Sequence, residues 1–191
     1  RILLERSGQA QEVPDTGQPL AAGWLPAVAG AALALLTGAD PKHADLSYTG
    51  AGRTDLYLGR HGNDALYLRV QASNQIAPRT AGDKTAVLTL TGTALLEGYT
   101  DQAHIDSNEP QYVREFRPES IYFCYPGTPY AVELSSDACQ LVVSRGPLAR
   151  SGSQLTASEY LDGMKSAAEL LTTALQPAQN RAGRLPASHN D

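Results

Sequence analysis

Glu97, Asp101 and His104 stand at i, i+4 and i+7, a spacing that would gather two carboxylates and an imidazole on one face of a helix. Those donor types suit a divalent metal. Gly98, Thr100 and the following Ile-Asp-Ser-Asn-Glu-Pro run predict a loop instead, which would leave the three as a polar surface. Cys124 and Cys139 are too few for a disulfide framework and lack the paired spacing of a zinc site. They read either as buried thiols or as one bridge between neighbouring strands. Nucleophilic chemistry finds no Gly-x-Ser-x-Gly elbow. The Gly50–Asp55 stretch, GAGRTD, lacks the lysine and the following helix of a phosphate loop. His61, within GRHGND, reads as a turn residue.

The composition narrows the partners. The 191 residues fit one domain able to bury a substantial core. Lys and Arg number 15 against 20 Asp and Glu, a net charge of −5, and the basic residues are scattered. A nucleic-acid surface needs them clustered to displace counterions from phosphates, so a small molecule or another protein is the expected partner. Tyrosines outnumber Phe and Trp together, nine to three, which suits strands and also pockets where a ring packs on sugar C–H faces. The most apolar segment, Leu20 to Leu36, is 17 residues long and interrupted by Gly23, Pro26 and Gly30. A membrane span needs about 20 residues. No leader pattern is visible, and the expectation is a cytoplasmic protein, with a processed start left open because the chain begins with Arg.

The elements that must position any site emerge from the patterning. Residues 1–19 read as an irregular lead-in, with Pro14, Gly17 and Pro19. WLPAVAGAALALLTGADP predicts a helix, with Pro26 in its first turn and Gly38 and Pro41 ending it. From about residue 45 to 145 come short β runs: TDLYLG, ALYLRVQ, TAVLTLT, TALLEGY, YVREF, SIYFCYP, YAVELS and CQLVVSR. With no helix between them, they predict an antiparallel sandwich or barrel. A second helix lies within 146–176. Thr156 and Glu159 have capping-box spacing, and Leu161, Met164, Ala168, Leu171 and Leu175 form a stripe to dock on the barrel or on a second copy of the chain. Residues 177–191 read as a flexible tail.

Three stretches carry a resemblance: LPAVAGAALALL as a leading helix, LTLTGTALL as a strand–Gly–strand hairpin, and FRPESIYFCYPGTPY ahead of LVVSR. In their order, over residues 20–145, the chain resembles the cupin superfamily, and within it the YhcH/YjgK/YiaL family. That family includes the β-subunit of the evolved β-galactosidase and relatives implicated in sugar and sialic-acid metabolism. The resemblance implies a mainly β, cupin-like double-stranded β-helix with an N-terminal and a C-terminal helix. The family's metal ligands do not carry over. The strand before the Gly hairpin reads Arg79-Thr80-Ala81-Gly82-Asp83-Lys84-Thr85, and Tyr130 stands where a His would come after the Pro-Gly turn. Lysines expected on the last strand fall at Gln140 and Ser144, and none of His43, His61, His104 and His189 takes a motif position. No metal and no cofactor is expected.

On such a fold the mouth of the barrel would bring together Arg79, Lys84, Tyr130 and Arg69. Arginine recognises a carboxylate with two parallel hydrogen bonds, so these four are the expected ligand-binding residues for a sugar or sugar acid. Tyr130 and Glu133 are the candidates for proton transfer in a mutarotase- or isomerase-like reaction. The rival expectation is a non-enzymatic accessory subunit, in which the barrel is retained as a scaffold for protein partners.

Overall fold

A computed structural model of the chain describes residues 2–6, 9–13, 39–73, 76–118, 120–148 and 152–182. The leading helix expected within 20–38 and the end of the tail, from residue 183, lie outside them.

Residues 2–13, read above as irregular, hold an antiparallel pair, β1 (Ile2–Arg6) and β2 (Gln9–Val13). A 3-10 helix (Pro41–Leu46) comes next, started by Asp40, whose side chain accepts from the Lys42 amide. Ten more strands of the domain come in chain order: β3 (Tyr48–Gly50), β4 (Arg53–His61), β5 (Asp64–Gln71), β6 (Arg79–Thr80), β7 (Thr85–Thr91), β8 (Ala94–Gly98), β9 (Tyr112–Phe116), β10 (Ile121–Cys124), β11 (Pro129–Leu134) and β12 (Cys139–Ser144). A short β13 (Ser153–Gln154) precedes the C-terminal helix. The eight β runs of the sequence all fall on β4, β5 and β7 to β12. The edge pieces β3, β6 and β13 are two or three residues long, too short to show a period.

Two antiparallel sheets face each other, one in the order β10-β7-β12-β5-β4-β3-β13, the other β6-β11-β8-β9. This is a jelly-roll-like, cupin-like double-stranded β-helix. The chain changes sheet repeatedly, and one change corrects the hairpin reading of LTLTGTALL: β7 and β8 belong to different sheets. Gly92 is therefore a corner. Its φ is +64°, and a Cβ there would lie 2.6 Å from the backbone of Ala138, so only glycine fits. The neighbouring corner, between β11 and β12, is fastened to it: Ser135 Oγ accepts from the Thr93 amide at 2.9 Å, and Thr91 Oγ1 donates to the Asp137 carbonyl at 2.6 Å.

Alternation along each strand divides the core in two. Tyr57, Tyr67, Val87, Leu96, Phe116, Tyr122, Val132 and Val142 point between the sheets. Leu56, Leu58, Leu68, Val70, Leu90 and Cys139 point from the large sheet's outer face. The long helix covers that outer face. It runs from Ala157 to Ala182, beyond the 176 boundary expected for it. Its capping box is formed: the Thr156 amide donates to Glu159 Oε2 at 2.8 Å, and the Glu159 amide donates to Thr156 Oγ1 at 3.2 Å. The buried stripe is Tyr160, Met164, Ala167 and Leu171, while Leu161 is 44 % exposed. Met164 and Leu171 of the expected stripe are part of it and Ala168 packs against it, while Leu161 is turned out and Tyr160 stands in its place; the side chain of Leu175 lies outside the described residues. Tyr160 fixes the docking by donating its hydroxyl to the Tyr57 carbonyl at 2.8 Å. Among the described residues no helix is long and apolar enough to cross a membrane.

Candidate functional site

The inward faces of β4 and β5 are not apolar throughout. Next to Tyr57 and Tyr67 in the same alternation come Arg53 and Asp55 on β4 and Arg69 on β5, all with 6 % exposure or less. Sheet register puts Thr89, Gln140, Arg69 and Asp55 side by side on four successive strands. Buried polar groups are mostly hydrogen-bonded, and each side chain of this row has at least one partner. Arg69 Nε donates to Asp55 Oδ1 at 2.7 Å and its Nη2 to Oδ2 at 3.4 Å. Gln140 accepts from the Tyr122 hydroxyl at 3.1 Å and donates to Thr89 Oγ1 at 3.2 Å.

Arg53 completes a second layer. Its Nη2 donates to the Tyr130 hydroxyl at 3.0 Å, and its guanidinium carbon lies 5.1 Å from the centre of that ring. Its Nε stands 3.7 Å from Asp55 Oδ2, too far for a hydrogen bond. Arg53 Nε and Arg69 Nη1 are buried with no hydrogen-bond partner. On the facing sheet Tyr130 is the register partner of both Arg79 and Gly98. Arg79 therefore shares Tyr130's inward face and closes the layer from the side of β6.

These groups sit at one end of a cavity of about 230 Å³. Arg53, Asp55, Arg79, Tyr130 and Ser144 line it, with Thr80–Asp83, Pro147 and Leu148 around them. The two rim segments touch: the Asp83 carboxylate lies against Gly146, where any Cβ would collide with it. The Leu148 amide donates to the Tyr67 hydroxyl at 3.1 Å, tying the second segment to the core.

Burial alone would raise the Asp55 carboxyl, but the charges of Arg69 and then Arg53 outweigh it and hold Asp55 below the ordinary carboxylate range. Arg69, equally buried, is kept firmly charged by Asp55. Arg79 moves the other way. Desolvation, with repulsion from Arg53 second, brings its guanidinium down to about 10, still a cation at neutral pH. Burial pushes the Cys124 thiol, behind Tyr130, up to about 11.

The residues expected from the sequence divide in their placement. Arg79 and Tyr130 meet at the cavity, and Ser144, one of the two last-strand positions, lines it with them. Arg69 lies deeper, bound to Asp55. Lys84 is exposed, its ammonium 5.2 Å from the Phe123 ring centre and 5.5 Å from that of Tyr125. Glu133 is exposed on the strand position next to inward-facing Val132 and does not share Tyr130's face. Sequence reading missed Arg53 and Asp55, which lay within GAGRTD. Their i, i+2 spacing ahead of an alternating strand was the available signal.

Glu97, Asp101 and His104 do not make a site. A short helix, α1 (Gln102–Asp106), stands where a loop was expected. Asp101 caps it, accepting from the His104 amide at 3.0 Å and pairing with its Nδ1 at 2.7 Å. Among the described residues no group of three or more His, Cys, Asp or Glu side chains converges as metal ligands. Cys124 and Cys139 are both free and buried. They lie on opposite faces of the large sheet.

No protein-family model matches the chain, and no curated protein matches its sequence. Solved structures do match over part of it. The hydroxypropylphosphonic acid epoxidase from S. wedmorenis is 11 % identical over 49 % of this chain and 50 % of its own, with a TM-score of 0.39. A cupin superfamily protein from Desulfitobacterium hafniense DCB-2 is 13 % identical over 48 % of this chain and 75 % of its own, with a TM-score of 0.36. A protein of unknown function from Rhizobium leguminosarum bv. viciae is 15 % identical over 56 % of this chain and 92 % of its own, with a TM-score of 0.38. The chain spans about half the length of the epoxidase structures it matches.

Proposed function

We propose that this chain binds a small polar ligand, a sugar or sugar acid, in the cavity between the sheets, and that it does so without a metal. The observation that supports this most is the placement of Arg53. A guanidinium is 6 % exposed at the inner end of an open cavity, where desolvating a charge costs several kcal/mol unless something compensates it. Arg79 and the Tyr130 hydroxyl stand beside it as hydrogen-bonding groups. Tyr130 is the residue best placed for proton transfer in an isomerase- or mutarotase-like step, since its hydroxyl borders the cavity and already accepts from Arg53. Glu133 has no part in such a step, because it faces away.

The accessory-subunit reading has one observation in its favour. Tyr57, Tyr67 and Tyr122 fill much of the space between the sheets, and the Asp55–Arg69 and Gln140 network packs the rest as a polar core. A thermal-shift panel of uronic, sialic and neutral sugars separates the two. A ligand that binds only the folded state raises stability by about 2.7 kcal/mol at a hundredfold excess over Kd. A concentration-dependent rise with at least one sugar supports the binding reading, and a flat response to every one favours the scaffold.

A further inference from the structure

We draw no further inference here: the strongest candidate, the open groove between the Gly92 corner and the long helix, lined by Leu90, Pro118, Asp137, Leu170 and Thr173, carries none because nothing in the structure shows what covers it.

Discussion

Arg69 and Asp55 face each other across β5 and β4 as register partners, joined at 2.7 Å with the guanidinium wholly buried. Breaking such a pair from one side leaves an uncompensated charge in the interior, which costs about 3–5 kcal/mol, whereas replacing both partners with apolar groups of similar volume is often neutral. Asp55→Ala is therefore expected to lower the urea midpoint severely, and Asp55→Leu combined with Arg69→Met to recover most of the loss. Asp55→Ala within about 1 kcal/mol of wild type would show that Arg69 finds another partner.

The same pair fixes the acid limit. Asp55 holds its carboxyl below the ordinary value in the folded state, so the unfolded chain binds the proton first as pH falls. The pair's contribution is present above about pH 4 and is lost below it, as pH descends through the folded-state value. Equilibrium unfolding monitored from pH 7 to pH 3 should show the decline only at the acid end, and Asp55→Asn should remove that part of the dependence.

At the alkaline end the buried thiols contribute. Burial raises Cys124 to about 11 and Cys139 to about 12, against about 8.5 in an unfolded chain. Their contribution is intact below that value and fades as pH rises toward the folded-state values. Neither thiol should react with a disulfide reagent at pH 8 in the native protein, and both should react in concentrated guanidinium chloride. Rapid native labelling of either would mean that the sheet opens locally.

How much of this was legible in the sequence depends on the size of the signal. The β7 and β9 boundaries coincide with the runs TAVLTLT and YVREF, because alternation of Val, Leu and Tyr over five to seven residues is unambiguous. The corner at Gly92 was legible as a turn but not as a change of sheet, since that depends on Ala138, 46 positions later, closing on it. Arg79 and Tyr130 could be named because a resemblance pointed at their positions. Arg53 and Asp55 could not, because two charges at the start of a strand look like solvated residues until a facing sheet buries them. The helix stripe was legible at Met164 and Leu171, both buried, but not at its start: Leu161 is the more apolar choice by type, whereas Tyr160 supplies the hydroxyl that reaches the Tyr57 carbonyl.

Docking of the long helix depends on that buried face. Leu171 is fully buried, and a Leu171→Asp change would place a charge there at a cost of several kcal/mol. Leu161→Asp, on the exposed side, should change stability by less than about 0.5 kcal/mol. Thermal melts of the two variants should separate widely. Equal melting temperatures would contradict the docked arrangement.

On the proposed function, a ligand binds in the space between Arg53, Arg79 and Tyr130. Amide chemical-shift mapping of the isotopically labelled protein, titrated with D-glucuronate, tests it most directly. Saturable shifts concentrated at Arg53, Arg79 to Asp83, Tyr130, Ser144 and Leu148 are expected, with the long helix unchanged. Shifts confined to the helix or to the β8–β9 face, or no shifts up to saturation of the titrant, would contradict it.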